Sequence, residues 1–155
     1  MSIKTVTQVR EDFGEGPYLS DWRTVEQPFM DQFAEATDDW DWMHTDPVRA
    51  RAAGFDGTIA FGFWTLSMLT HFLRESTGRE YPPGARFGYN YGLDRVRFLA
   101  PVPVGSRIRN RLTLVGVREK APARFLVTTH NEVEIEGAEG PAMIADWLIL
   151  LVYGE

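Results

Sequence analysis

From residue 88 onward, apolar and polar positions alternate with a period of two. Segments 88–99, 106–117, 123–136 and 142–153 are rich in Val, Ile, Leu, Phe and Thr and predict four successive strands. In the third, Phe125, Val127, Val133 and Ile135 share one face, and Arg124, His130, Glu132 and Glu134 share the other. That is the alternation of a half-buried antiparallel strand. The last segment, Met143 to Tyr153, is apolar on both faces, so both should be covered, with a second subunit as the expected cover of one of them. Breakers fall at Pro101-Val102-Pro103-Val104-Gly105, at Lys120-Ala121-Pro122 and across Glu136 to Pro141.

Upstream the spacing is helical. Tyr18 to Val25 predicts a short strand, after which Thr24 and Gln27 stand at the N-cap and box positions of a helix carrying Phe29, Phe33 and Ala36. That helix runs out at Thr37-Asp38-Asp39. Asp46-Pro47 opens a second, short one, with Asp46 as cap and Pro47 in the first turn. After a turn-rich loop from Gly54 to Thr58, residues Phe61 to Arg74 predict a helix apolar nearly all round, which must be buried on most sides. One buried helix followed by a run of antiparallel strands is an α+β arrangement, the sheet wrapped around the helix, known as a hotdog. The whole of residues 1–155 is expected to form this single domain, with the polar, Gly-rich residues 1–16 a loose arm.

Composition narrows the function classes. With 155 residues, 44% hydrophobic and 25% charged, the chain can bury a sizeable core and is not of disordered type. A net charge of −6 argues against nucleic-acid binding, which requires a basic surface. No apolar run reaches the roughly 18 residues of a membrane helix, and Met1-Ser2-Ile3-Lys4-Thr5 lacks the apolar core of a signal peptide. Cysteine is absent, which removes disulfide and thiolate chemistry. A cytoplasmic protein without a membrane or nucleic-acid partner is the expectation.

The chemistry concentrates in Phe33-Ala34-Glu35-Ala36-Thr37-Asp38-Asp39-Trp40-Asp41-Trp42-Met43-His44-Thr45-Asp46-Pro47. Asp39 and His44 place a carboxylate and an imidazole on one short loop, the parts of an acid–base pair. The same aspartates also suit helix ends and Asx-turns. As a metal site the run is poor: it lacks the glycine and terminal Glu of a calcium loop and the His-x-x-x-His spacing of zinc enzymes, so no metal is expected. Gly62 falls at the start of the apolar helix, where free N–H groups suit a developing oxyanion; the alternative is a glycine kept for close packing. Thr70 lies two turns further along that helix, facing a ligand or bonding its own backbone. Arg107, Arg109 and Arg111, and likewise Arg95 and Arg97, alternate along strands and offer either phosphate contacts or a solvated sheet face. His71 and His130 read as structural.

These segments resemble the MaoC-type dehydratases, the (R)-specific enoyl-CoA hydratases of the hotdog fold. The family motif Phe-Ala-x-x-Ser-Gly-Asp-x-Asn-Pro-x-His-x-Asp runs without gaps along Phe33-Ala34-x-x-Thr37-Asp38-Asp39-x-Asp41-Trp42-Met43-His44-x-Asp46. The likeness continues through Asn90 to Phe98 and Pro101 to Gly105, covers roughly residues 25 to 153, and is nearest the single-hotdog, nodulation-protein-N-like branch. Asp41-Trp42 stands where the motif has Asn-Pro, Asp38 where it has Gly, and Phe61 where many relatives have His.

The resemblance implies that Asp39 and His44 are the catalytic pair, Gly62 the oxyanion donor and Thr70 a substrate-side hydroxyl. It implies water addition to a trans-2-enoyl thioester, or the reverse dehydration, with the substrate carried on CoA and no separate cofactor. A homodimer or dimer-based oligomer is expected. The rival readings are an acyl-CoA thioesterase, disfavoured because Phe61 to Leu73 carries no carboxylate, and a non-catalytic acyl-thioester-binding subunit.

Overall fold

In chain order the elements are α1 (Val6–Phe13), β1 (Tyr18–Leu19), β2 (Arg23–Thr24), α2 (Gln27–Thr37), α3 (Trp42–Thr45), α4 (Pro47–Ala52), α5 (Gly62–Ser67), α6 (Leu69–Thr77), β3 (Ala85–Phe98), β4 (Arg107–Ala121), β5 (Arg124–Ile135) and β6 (Pro141–Tyr153). The structure, a computed structural model, describes residues 4–154. Its six strands form one antiparallel sheet in the order β1-β4-β5-β6-β3, with β2 also on β4. The four long strands lie within a few residues of the segments that period-two alternation predicts. Phe125, Val127 and Val133 are fully buried, and Met143, Trp147, Ile149 and Leu151 of β6 join them against the helices. This is the hotdog arrangement.

The apolar face of β5 also carries two polar residues. Thr129 and Asn131 are fully buried, and Asn131 Nδ2 donates to Thr129 Oγ1 (3.0 Å) while Asn110 Nδ2 donates to Asn131 Oδ1 (2.9 Å). Paired in this way they avoid most of the cost of burying an amide. On the outer face, Leu126 and Leu150 pair directly across β5 and β6 and are buried as well. Lys120 of β4 lies over the Tyr91 ring of β3, 3.8 Å from its centroid, so two non-adjacent strands are tied across that face within one chain.

Three expectations are corrected. Residues 4–16 are not a loose arm: Val6–Phe13 is a helix with a complete Thr5/Gln8 capping box, and Val9 and Phe13 are buried. Residues 1–3 of the expected arm lie outside the described residues. Arg79 Nη2 donates to the carbonyls of Asp12 and Phe13, satisfying the end of that helix. Thr24 does not cap α2. It pairs with Arg107 of β4, and Val25 N–H donates to Ser106 O (2.9 Å), so the chain stays extended until Glu26 becomes the N-cap.

The apolar helix, finally, is neither continuous nor buried on most sides. It tightens at Met68, where one N–H is shared between Trp64 O (3.2 Å) and Thr65 O (3.3 Å). Thr65, Ser67 and Thr70 all turn their hydroxyls back onto helix carbonyls around that point, a competition that bends helices. Trp64, Thr65, Leu69 and Phe72 face the sheet, but Phe63, Ser67, Thr70 and Arg74 form an exposed stripe, with Phe63 70% exposed.

Candidate active site

His44 sits on α3, a single turn that buries none of its own residues and is therefore held from outside. Asp41 caps it, Oδ1 accepting from Met43 N–H (2.8 Å), so the carboxylate standing in place of the family's Asn does the local work of a helix cap. Asp38 ends α2 in the left-handed region (φ 56°), which explains a glycine in the family motif and an aspartate here, since both tolerate that conformation. Asp46 caps α4 through Arg49 N–H (2.9 Å). Three of the four loop aspartates are thus accounted for by backbone geometry.

The imidazole is fixed on one side. Nδ1 lies 2.7 Å from the carbonyl of Ile59, and a carbonyl only accepts, so Nδ1 carries a proton and, in the neutral ring, Nε2 is the nitrogen with the lone pair. The ring packs on Phe61 at 3.9 Å between centroids, and Phe61 in turn packs on Phe33. Ile59 N–H donates back to Met43 O (3.0 Å), closing the loop around the histidine. Within the described residues Nε2 makes no hydrogen bond. His44 lines a cleft of about 290 Å³ together with Gly62, Thr65, Phe98, Pro101 and Met143.

Gly62 is the first residue of α5, so its N–H belongs to the first turn and has no intrahelical acceptor. A Cβ there would meet the Phe98 ring at 3.0–3.2 Å. Close packing against Phe98 therefore favours a glycine at this first-turn position beside the cleft. His44 and Gly62 come together in this cleft.

The other two site residues lie elsewhere. Asp39 is on the exposed loop, its Oδ1 accepting from Asp41 N–H (3.3 Å), and no hydrogen bond or ion pair joins it to His44. Thr70 lines a separate cleft of about 400 Å³ between α5–α6 and strands β3 and β6, and its hydroxyl donates to Ser67 O (3.3 Å). Among the described residues no group of three or more His, Asp or Glu converges as metal ligands would.

The strand arginines are engaged. Arg107 pairs with Glu136, Arg109 and Arg111 both reach Glu134, and Arg95 reaches Asp146. Burial alone would raise the Glu134 carboxyl, but the hydrogen bonds and charges of Arg109 and Arg111 outweigh it and hold the group below the usual carboxylate range. Trp42 packs on Phe55 and under Arg49, as loop aromatics do. Gln27, Thr58, the Ile59 carbonyl and Phe98 are the participants that residue-type reasoning misses. Gln27 stands out in the sequence only as a helix-start residue, and a backbone carbonyl leaves no trace there.

A family model described as MaoC like domain matches residues 8–136. The chain belongs to this MaoC-like dehydratase family, a family of hydro-lyases on the hotdog fold. It is 39% identical over 151 residues to 3-hydroxyacyl-thioester dehydratase Z of Mycobacterium tuberculosis, covering 97% of this chain and 98% of that protein. It is 39% identical over 150 residues to nodulation protein N of Rhizobium leguminosarum bv. viciae, covering 96% and 92%. Among solved structures, the (R)-hydratase from A. caviae shares the fold with a TM-score of 0.70 at 18% identity, over 88% of this chain and 96% of that one. No helix among the described residues is long and apolar enough to cross a membrane.

Proposed function

We propose that this chain is an (R)-specific enoyl-thioester hydratase, equally a 3-hydroxyacyl-thioester dehydratase, with CoA as the acyl carrier and no further cofactor. The observation that carries the reading is the single cleft shared by His44, with its Nε2 lone pair free, and the first-turn N–H of Gly62. The thioester oxygen accepts from Gly62 N–H, which polarises the conjugated double bond and stabilises enolate-like charge. His44 addresses a water in the cleft, and Asp39, whose carboxylate here accepts from Asp41 N–H on the exposed loop, joins it when that loop turns toward the cleft. The pair takes a proton as the water oxygen bonds to C3 and delivers a proton to C2, so the sum is addition of H₂O across the double bond. Side-chain proton transfer suffices for the reaction.

The quaternary part of the proposal is a homodimer built on β3. That strand is an edge, paired on one side with β6, and it exposes Tyr89, Tyr91, Leu93 and Phe98 beside the uncovered Phe63. An edge strand with this much exposed apolar surface calls for a partner.

Crotonyl-CoA with the purified protein tests the activity, following loss of the enoyl absorbance alongside free thiol. Hydration without thiol release is expected. Thiol release without hydration would assign a thioesterase instead, and binding of acyl-CoA without either would assign a non-catalytic subunit. Light scattering on the purified chain should give twice the monomer mass, and a Leu93→Asp variant should give the monomer.

A further inference from the structure

Gln27 spends its whole amide on the surroundings of His44. Nε2 donates to the His44 carbonyl (2.8 Å) and to Asp31 Oδ1 (2.9 Å), while Oε1 accepts from Thr58 Oγ1 (2.5 Å). Two pure acceptors on one end fix which end is nitrogen, because a flipped amide would set Oε1 against a carbonyl and a carboxylate. Thr58 is buried, 4% exposed, and its neighbour Ile59 supplies the carbonyl that holds His44 Nδ1. The contacts therefore close a ring. It runs from the His44 imidazole to Ile59 O, along the backbone to the Thr58 hydroxyl, through the Gln27 amide and back to the His44 carbonyl.

We propose that Gln27 and Thr58 are positioning residues that hold α3 against the 58–59 segment and so fix the tautomer and heading of the His44 imidazole. As a statement about catalysis this rests on the hydratase reading above. α3 has no buried residue to anchor it, so its placement depends on tethers of this kind. Without the Gln27 donor the turn can shift relative to Ile59 O. The proton on Nδ1 then loses its fixed acceptor, and Nε2–H competes as the tautomer. A base that carries the proton on the nitrogen facing substrate cannot accept another.

The test uses ¹⁵N imidazole NMR of His44, assigned by its loss in a His44→Asn variant, together with hydration kinetics on crotonyl-CoA. The wild-type signal should be that of an Nδ1–H imidazole. Gln27→Leu and the near-isosteric Gln27→Glu, which keeps the Thr58 acceptor and loses both donors, should shift His44 to mixed tautomers. They should lower kcat by ~10- to 100-fold, the scale expected for a misplaced catalytic group, with KM within about threefold. Thr58→Val should do the same and Thr58→Ser should restore both readouts, and this pair decides the matter if the Gln27 variants do not fold. A folded Gln27→Leu or Thr58→Val protein with the wild-type tautomer overturns the proposal. So does a loss of rate that Thr58→Ser fails to recover. If the wild-type protein does not hydrate enoyl thioesters at all, the functional reading fails, while the tautomer comparison still decides the role of Gln27 and Thr58.

Discussion

His44 and His130 each hold Nδ1 2.7 Å from an oxygen, yet the two sites are built for different ends. His130 faces Asp146, its directly paired residue on β6, and that carboxylate is buried and also lies 2.5 Å from Arg95 Nη2. The group is a clasp. A carboxylate shared between the His130 ring and the Arg95 guanidinium ties β5 to β6 and to the irregular stretch of β3, where Arg95 adopts a positive φ of 51°. His44 bonds a neutral carbonyl instead, which sets the tautomer without committing a charge and leaves Nε2 open to a cleft. On the proposed reading, then, an Asp–His hydrogen bond is not the mark of the reactive histidine. A free ring nitrogen beside a backbone N–H donor in a concave site is.

The sharpest way to break this comparison is to delete each imidazole. His44→Ala, and with it Asp39→Asn, should lower the hydration rate at least ~100-fold, whereas His130→Ala should stay within about threefold of wild type. Steady-state kinetics on crotonyl-CoA decides it, and a large loss at His130 with none at His44 reverses the assignment.

Removing the shared carboxylate probes the clasp. Asp146→Asn should cost about 1–3 kcal/mol of stability, toward the lower end because the Arg95 side chain is 79% and that of His130 40% exposed, where solvent screens charge. Urea unfolding measures this; an unchanged midpoint would show that the cluster is ornamental.

Gly62→Ala tests the donor that His44 has and His130 lacks. The new Cβ crowds Phe98, but that ring is half exposed and has room to yield, so stability should change by less than about 1 kcal/mol. Hydration should nevertheless fall ~10-fold as approach to the N–H is hindered. A stability loss without a rate loss would leave Gly62 as packing alone.

The smallest effect is expected at Tyr153, away from both histidines. Burial, followed by the Asp12 charge, pushes its hydroxyl up to about 12 against the opposing Arg79. Its contribution to stability is therefore complete below the ordinary tyrosine value near ~10 and is lost as pH rises toward the folded value. The buried hydroxyl has no hydrogen-bond partner, so Tyr153→Phe should be neutral within about 0.5 kcal/mol at pH 7. In thermal melts above pH ~10 the variant should outlast wild type; identical alkaline limbs would contradict the assignment.

Much of the frame is legible in the residues because each strand advertises itself locally. Alternation along β5 sets which face is buried, and one residue of slip would invert it. The Asp46-Pro47 helix start is equally local, since cap and acceptor are three residues apart. The N-terminal helix was legible too: Thr5 and Gln8 form a readable box, and Val9 and Phe13 sit one turn apart, but the glycines that follow suggest a loose arm. The helix break at Met68 is foreshadowed by Thr65, Ser67 and Thr70, yet whether such hydroxyls bond helix carbonyls depends on what lies beside them.

By itself, then, the sequence determined the strand segments, the α+β class, the family motif and two candidate residues, His44 and Gly62, that line one cleft, because each depends on residue type at short range. Only the tertiary structure decided what the histidine can do. Its Nδ1 partner is a carbonyl 15 residues away, its own carbonyl is held by Gln27 at a separation of 17, and Gln27 is held by Thr58 at 31. Backbone atoms are the same at every position, so no pattern of side chains reveals which of them will meet an imidazole. That is set by packing, and with it the free nitrogen on which the proposed chemistry depends.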